Sequence, residues 1–348
     1  MSDKRAKELG KRVALTLGSG GARGYAHIGV IEVLEARGYE IVAISGCSMG
    51  SVIGGVYAAG QLEAYRDWVC RLAYLDVLKL VDVTWSPMGA IRASKVMSKL
   101  EELIGDVLIE DLPIPLTTVA TDLARQREVW FQSGPLLRAI RASIAIPGVI
   151  TPVHIGGQTL VDGGLLNPLP ITPTVSSHAD LVLAVNVTAH SAHPVALNDL
   201  LPDDEREPDS DEAEPRGGWM DVRGATRRLW EGFGSGEVSE ADTPVRPASS
   251  RRAWGRLDMI LASFDITQAS LAKYKIAGYP PDILVEVPKT VCGAFEFHRA
   301  DALIRLGRHL AMEALDRYEG RSHSGGGGSG ASVVEPPQMP AERNSGEG

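Results

Sequence analysis

Cysteine is scarce in this sequence: the 348-residue chain holds three, namely Cys47, Cys70 and Cys292. Three scattered cysteines are too few for a disulfide framework or a four-ligand zinc site. Long apolar runs are also missing, since no stretch approaches the roughly 20 apolar residues of a membrane-spanning helix. The apolar run after the charged start is shorter than the core of about 7–15 residues that a signal peptide needs. We therefore expect a cytoplasmic protein that contacts a membrane, if at all, from its surface.

Positive charge is the second shortage, with 35 basic against 44 acidic side chains and a net charge of −9. A nucleic-acid binder needs a basic face that displaces counterions, so nucleic acid is not an expected partner. Much of the negative charge is local, because the stretch Asp203 to Glu214 holds eight acidic residues and one arginine. Such a stretch buries too little apolar surface to order itself, which predicts a solvated insertion.

Short apolar runs alternate with helical patterns over residues 11–187, which is typical of a mostly parallel sheet covered by helices. The predicted strands are 12–17, 40–45, 117–121, 128–132, a 153–161 hairpin turning at Gly156-Gly157, 181–187 and 283–287. The predicted helices are 25–37, 49 to about 60, 257–277 and 298–318. We divide the chain into a charged tail (1–10), a main domain (11–201) completed by 255–320, an insertion (202–254) and a flexible tail (321–348).

The second half of the insertion mixes aromatic and basic side chains. These are Trp219, Trp230 and Phe233 together with Arg223, Arg227 and Arg228. An amphipathic helix with an arginine face would act as a lid or contact a membrane surface. Gly224 and Gly232 disfavour a helix, and a flap that packs on its own domain is the alternative. Both interpretations stay open at this point.

The segment Gly46-Cys47-Ser48-Met49-Gly50 fits the G-x-S-x-G nucleophile elbow, in which a serine lies on a tight turn between a strand and a helix. An apolar strand precedes the segment and a helix of small residues follows it. Ser48 is then expected near the positive end of a helix dipole, with its hydroxyl exposed. Side chains at Gly46 or Gly50 would collide where the turn is tightest. Cys47 is predicted to be a small buried residue.

A glycine-rich loop, Gly18-Ser19-Gly20-Gly21-Ala22-Arg23-Gly24, follows the first predicted strand. Its backbone N–H groups can converge on an anion, either a phosphate or the oxyanion of an acyl-transfer intermediate. The dinucleotide pattern G-x-G-x-x-G is missed because Gly24 comes one position late, and a P-loop ending is absent. A nucleotide-binding enzyme therefore remains only an alternative. Arg23 either orients the loop, binds an anionic group of the substrate or forms a surface ion pair.

Asp162 ends a predicted strand and precedes Gly163-Gly164, where a catalytic side chain is usefully held. Asp-Gly is also an ordinary turn signal, so a structural role is the alternative. The chain has eight histidines. None of them lies in a convincing loop motif at a strand end, and each fits better as a core or solvated residue.

These three elements, in this order, resemble the patatin-like phospholipase family, and within it the bacterial branch related to neuropathy target esterase. The resemblance covers residues 12–167, and the string Phe295 to Arg299 before the final helix is similar to that branch. One position differs, since Ser19 stands where the family often has a further glycine. The resemblance implies an α/β fold of three layers: a mostly parallel central sheet, helices on both faces and the nucleophile elbow after the second strand.

The resemblance also implies a Ser-Asp dyad without histidine. Ser48 would be the nucleophile, and Asp162 would accept its proton and later activate the deacylating water. The loop residues Gly20, Gly21, Arg23 and Gly24 would form the oxyanion hole. A carboxylate with an ordinary pKa of about 3.9 is a poor base, so burial is expected to raise it. Residues 141–147 are also similar to the family. They are expected either to form a helix end that lines the pocket or to pack in the core.

The predicted function is therefore hydrolysis of carboxylic esters of lipids, of the phospholipase A or lysophospholipase type. No metal and no organic cofactor is implied. A non-catalytic lipid-binding or regulatory protein of the same fold is the main alternative, since a preserved pocket can bind a lipid without turning it over.

Overall fold

The structure is a computed structural model that describes residues 11–80, 82–86, 89–191, 193–206 and 256–320. Within these ranges the chain forms eleven strands and nine α-helices. The aromatic and basic residues at 219–233 lie outside the described residues, as do the two predicted tails at 1–10 and 321–348. The fold is therefore described for the main domain and for the residues that follow the insertion.

The strands are β1 (Arg12–Leu17), β2 (Glu40–Cys47), β3 (Val83–Ser86), β4 (Gly89–Ile91), β5 (Leu116–Asp122), β6 (Arg127–Phe131), β7 (Gly148–Ile150), β8 (Val153–Ile155), β9 (Gln158–Asp162), β10 (Leu181–Ala189) and β11 (Ile283–Pro288). The helices are α1 (Ala26–Ala36), α2 (Met49–Ala58), α3 (Leu62–Val69), α4 (Tyr74–Leu80), α5 (Ser94–Ile104), α6 (Leu136–Ser143), α7 (Leu197–Leu200), α8 (Arg256–Gly278) and α9 (Ala300–Tyr318).

The central sheet has the strand order β11-β10-β1-β2-β5-β9-β8, and β6 pairs with β5 outside this path. The five strands from β11 to β5 are parallel, whereas β6, β8 and β9 join by antiparallel pairing. A small second sheet contains β3, β4 and β7. This mostly parallel sheet, covered by helices on both faces, confirms the predicted architecture. The carboxyl ends of parallel strands lie together at one end of the sheet, and ligand-binding sites of α/β folds are found at that end.

Strand β5 decides how the two halves of the predicted site meet. One edge of β5 is paired with β6. Its other edge is shared, because β2 ends with Cys47 opposite Val119 and β9 ends with Asp162 opposite the next residue, Ala120. Strands β2 and β9 therefore run toward each other along the same edge of β5. The residue that follows β2 is Ser48, so the fold brings it to the last residue of β9.

Helices α1 and α9 pack together on one face of the sheet at a crossing that requires glycine. A Cβ atom at Gly29 would lie 2.1 Å from the carbonyl oxygen of Ile304, and one at Gly307 would lie 2.1 Å from that of Ala26. The two helix backbones are thus in direct contact. Apolar side chains of β1, β10, α1 and α9 form the largest buried core around this crossing. The strand ends that position the site are anchored in this core.

Candidate active site

Ser48 lies in a strained turn between β2 and α2. The residue is 5% exposed, so the expectation of an exposed hydroxyl is wrong, and Ser48 instead lines a cavity. Its backbone has φ 52° and ψ −120°, a left-handed conformation that is unfavourable for a residue with a side chain. The flanking glycines are sterically required, as predicted. A Cβ atom at Gly46 would lie 2.5 Å from the oxygen of Gly50, and one at Gly50 would lie 2.1 Å from the oxygen of Leu17. The strain is therefore maintained by the close packing of the turn against its neighbours.

The hydroxyl of Ser48 is in direct contact with the carboxyl group of Asp162. Ser48 Oγ donates a hydrogen bond to Asp162 Oδ2 at 2.6 Å across 114 positions of sequence. The other carboxyl oxygen, Oδ1, accepts the Gly164 N–H at 2.7 Å, and Cys47 Sγ lies 3.9 Å from it. Asp162 itself is fully buried. The glycine turn after Asp162 thus orients the carboxyl group toward Ser48.

Burial shifts the pKa of Asp162 into the range that a proton acceptor needs at neutral pH. Removal from water raises the pKa of Asp162 from 3.8 to about 7, and the hydrogen bonds from Ser48, Gly164 and Cys47 only partly oppose this rise. The expected effect of burial on this carboxyl group is therefore present. Burial also raises the pKa of the Cys47 thiol well above its ordinary value, so Cys47 is a neutral, buried side chain, as predicted.

Ser143 is a supporting residue that sequence reasoning did not single out. Its hydroxyl accepts the N–H of Ser48 at 2.9 Å and donates to the oxygen of Val119 at 2.6 Å. Ser51 Oγ lies 2.8 Å from Ser143 Oγ and donates to the oxygen of Gly46. These bonds tie the elbow to β5 and to the end of α6. The only sequence signal was the family-like string 141–147, which contains Ser143.

The glycine-rich loop lines the same cavity as Ser48. The N–H groups of Gly20 and Gly21 have no hydrogen-bond acceptor among the described residues. Residues Gly21–Tyr25 form a 3₁₀ helix, in which the N–H groups of Arg23 and Gly24 are used by carbonyl oxygens three residues earlier. The geometry therefore separates the four residues of the predicted oxyanion hole. Gly20 and Gly21 have free donors, whereas Arg23 and Gly24 shape the loop.

Arg23 is buried behind the loop, with a side chain that is 2% exposed. Its Nε donates to the oxygen of Gly20 at 3.1 Å, and Nη1 donates to the oxygen of Lys289 at 3.1 Å. Nη2 forms an ion pair with Asp265 on α8 at 2.9 Å. Among the three roles considered for Arg23, orientation of the loop is the one that these contacts support.

A cavity of about 500 Å³ opens beside Ser48 and has a mainly apolar lining. Its walls include Trp68, Val77, Ile144, Ile146, Phe264 and Phe297. Helix α6 ends at Ser143, so the string 141–147 does form a helix end and reaches the pocket. The string Phe295 to Arg299 also contributes to the lining. The cavity therefore suits a long apolar group next to the serine hydroxyl.

The histidines in the described part of the chain make no hydrogen bond to Ser48 or Asp162. His27 is fully buried, its Nε2 lies 2.8 Å from the oxygen of Gly18, and burial lowers its pKa to about 4. His27 therefore supports the glycine-rich loop as a neutral ring. His323 lies outside the described residues.

Comparison with known proteins identifies the family. The profile described as patatin-like phospholipase matches residues 15–175. An uncharacterized NTE family protein of Mycobacterium tuberculosis is 42% identical over 334 residues, which covers 88% of this chain and 92% of that protein. The chain belongs to the patatin-like phospholipase family.

Two further relatives match about half of the chain, and one solved structure matches most of it at low similarity. A lysophospholipase of Emericella nidulans is 32% identical over 183 residues, covering 51% of this chain and 12% of that protein. The patatin-like phospholipase domain-containing protein 6 of Mus musculus is 33% identical over 186 residues, with coverages of 51% and 14%. The solved structure of VipD from Legionella pneumophila covers 89% of this chain and 67% of its own, at 15% identity and a TM-score of 0.42.

Two further features of this patatin-like chain concern membranes and metals. Among the described residues, every helix is too short or too polar to cross a membrane. The same residues contain no group of three or more histidine, cysteine or acidic side chains placed to hold a metal ion.

Proposed function

We propose that this patatin-like protein is a serine hydrolase that cleaves carboxylic esters of phospholipids or lysophospholipids. The 2.6 Å hydrogen bond from Ser48 Oγ to Asp162 Oδ2, beside a largely apolar cavity, is the observation that carries the proposal. The relative named lysophospholipase supports the choice of substrate class. The apolar lining also favours an acyl chain over a nucleotide as the occupant of the cavity.

Acylation uses the two contacts of the dyad. Ser48 Oγ attacks the carbonyl carbon of the ester while its proton passes to Asp162 Oδ2. The negative charge that develops on the carbonyl oxygen is stabilised by the N–H groups of Gly20 and Gly21. Ser48 also lies at the amino end of α2, whose dipole favours negative charge there. Collapse of the intermediate releases the alcohol, which takes the proton from Asp162, and leaves the acyl group on Ser48.

Deacylation reverses the roles of the same groups. Asp162 accepts a proton from a water molecule, and the water oxygen attacks the acyl carbon. When the bond to Ser48 Oγ breaks, the proton on Asp162 returns to Ser48 and a fatty acid leaves. Because burial raises the pKa of Asp162 to about 7, one carboxyl group can accept and release a proton near neutral pH.

Replacing Ser48 with alanine tests the proposed nucleophile. We expect the wild-type protein to be labelled by a fluorophosphonate probe and to hydrolyse a lysophospholipid, and the Ser48→Ala variant to lose both properties, with turnover reduced by at least about 10³-fold. Ser133→Ala is the matched control, because Ser133 is exposed in the turn after β6, and this variant should still be labelled. A wild-type protein that binds lysophospholipid but is neither labelled nor active would instead support the non-catalytic alternative.

The pH dependence of hydrolysis should follow the ionisation of Asp162. Only the ionised carboxylate accepts a proton, so kcat/KM should fall about tenfold for each pH unit below 7 and level off above it. The measurement is kcat/KM for a soluble ester between pH 5 and pH 9, with circular dichroism at each pH to confirm folding. Activity that stays constant down to pH 5 would mean that Asp162 has an ordinary pKa and that burial does not tune it.

We also propose that the protein contacts membranes peripherally through the aromatic and basic residues of the insertion. Replacing Trp219, Trp230 and Phe233 together with serine should lower hydrolysis of phospholipid in anionic vesicles several-fold, because interfacial binding grows with buried apolar area. Hydrolysis of a soluble short-chain ester by the same variant should not change. Equal activities of wild type and variant on vesicles would exclude this contact.

A further inference from the structure

Two polar side chains in the wall of the cavity take no part in the proton transfers between Ser48 and Asp162. Ser19 and Gln268 are each 3% exposed, and both line the cavity that contains Ser48. In the described part of the chain neither side chain forms a hydrogen bond with another residue, and their polar atoms are open to the cavity rather than sealed inside the protein. A polar group that lines a cavity without a protein partner keeps its hydrogen-bonding capacity for a ligand, so these two groups indicate a polar ligand at this wall of the cavity.

Both side chains lie next to the turn that holds the general base. A Cβ atom added to Gly164 would lie 2.7 Å from Gln268 Nε2 and 3.0 Å from Ser19 Oγ. The N–H of Gly164 in turn donates to Asp162 Oδ1 at 2.7 Å. Gly164 must therefore be glycine to leave room for the two polar groups. The absence of a side chain there leaves space directly beside the turn that orients Asp162.

Helix α8 holds Gln268 firmly in this position. Asp265, one turn before Gln268, is paired with Arg23 at 2.9 Å, and Lys275, two turns after it, is paired with Glu128 at 2.9 Å. Ser19 is held from the other side, because its N–H donates to the oxygen of Pro168 at 2.8 Å. The two polar groups are thus fixed by separate elements that meet at the cavity.

Deacylation needs a water molecule inside the cavity, and most of the cavity lining is apolar and cannot hydrogen-bond to it. A buried water molecule makes about three hydrogen bonds. Arg23 and Asp265, which also line the cavity, already pair with each other. A serine hydroxyl and a glutamine amide can each donate and accept, so together they can hold a water in either orientation. We propose that Ser19 and Gln268 position the water that deacylates Ser48, an inference that rests on the proposed hydrolase function.

In this step the water oxygen forms a bond to the acyl carbon as one water proton moves to the carboxylate of Asp162. The bond between that carbon and Ser48 Oγ then breaks, and the proton on Asp162 returns to Ser48. A fatty acid and the free enzyme are formed, and no further reactant is needed. Ser19 and Gln268 exchange no proton with the reactants. They are positioning residues, and they affect the second half of the reaction only.

Substitution of the pair should therefore slow deacylation selectively. The variants are Gln268→Met, which keeps the volume, Ser19→Ala and their combination, with p-nitrophenyl butyrate as the substrate. We expect kcat to fall about 10–100-fold, KM to fall in parallel and kcat/KM to stay within about threefold. Mass spectrometry should detect a butyryl group that accumulates on Ser48. The control is Thr267→Ala, since Thr267 is exposed on the same helix and should leave all these values unchanged.

Thermal unfolding separates this role from a structural one. Gln268→Met removes a polar group that forms no hydrogen bond with another described residue, so its unfolding midpoint should stay close to that of the wild type or exceed it although turnover falls. If kcat/KM falls together with kcat, or if no acyl group accumulates, the pair does not position the deacylating water and the inference is wrong. A wild-type protein in which Ser48 is never acylated would overturn the proposed hydrolase function as well.

Discussion

The Asp162→Asn variant should lose about 10³–10⁴-fold in kcat while remaining folded. Asparagine has nearly the same shape as aspartate and can still accept the N–H of Gly164, but it cannot take the proton of Ser48. The measurement is turnover of a soluble ester by wild type and variant. Asp122→Asn is the matched control, because Asp122 is equally buried on β5 but makes its contacts with Arg125 and Gln158. Its turnover should stay close to that of the wild type.

The same substitution should make the protein more stable above neutral pH. Between pH 3.8 and about 7 the folded state keeps a proton on Asp162 that the unfolded chain releases, so the free energy of unfolding falls as the pH rises. Asparagine has no such ionisation. The free energy of unfolding of the variant should therefore exceed that of the wild type by an amount that grows from pH 4 to pH 7, toward an upper limit of about 4 kcal/mol. Urea unfolding at pH 4.5 and pH 8 measures this difference.

Replacing Asp122 with asparagine should change the free energy of unfolding in the opposite direction. The hydrogen bonds from Arg125 and Gln158 lower the pKa of Asp122 to about 2, so its ionised form stabilises the fold at neutral pH. The Asp122→Asn variant should therefore lose stability at pH 8. An Asp162→Asn variant that is less stable than wild type at pH 8 would show that the carboxylate of Asp162 is better solvated than its burial implies.

The sequence predicts the strands of the central sheet and the elbow because both depend on local patterns, whereas the short strands β3, β4 and β7 of the second sheet were not predicted. Buried β-branched runs indicate β1, β2, β10 and β11, and the elbow around Ser48 is a pattern of five consecutive residues, although the close contact that requires Gly50 comes from Leu17 at the end of β1. The contact between Ser48 and Asp162 is different. It depends on β2 and β9 sharing one edge of β5, which no local pattern encodes. Only the resemblance to the family predicted it.

The cavity is the part of the site that sequence patterns could not predict. Helices α3 and α4 were not predicted, since both are short and mostly half-exposed. Trp68 and Val77, which they contribute to the cavity, are indistinguishable in sequence from core residues. Gln268 lies within a predicted helix, but its position in the wall of the cavity depends on the tertiary structure. The candidate chemistry was thus predictable, whereas its surroundings required the fold.

Replacing Arg23 with methionine should lower turnover by disturbing the glycine-rich loop rather than the dyad. Arg23 holds the oxygen of Gly20 and is itself held by Asp265, so its loss should let the free N–H groups of Gly20 and Gly21 turn away from the oxyanion. Misplacing such donors costs about 10²–10³-fold in kcat. The carbonyl oxygens of Gly20 and Lys289 would also lose a donor, which should lower the free energy of unfolding by about 1–3 kcal/mol.

The appropriate control is an arginine with similar contacts at the surface. Arg206 is 47% exposed, pairs with Asp203 at 2.8 Å and donates to the oxygen of Leu201 at 3.1 Å. Arg206→Met should change stability by less than about 1 kcal/mol and leave kcat unchanged, because water replaces the lost partner. Assays of both variants belong at a temperature where each is fully folded. A folded Arg23→Met protein with normal kcat would show that the loop keeps its shape without Arg23, and would leave Gly20 and Gly21 oriented by backbone packing alone.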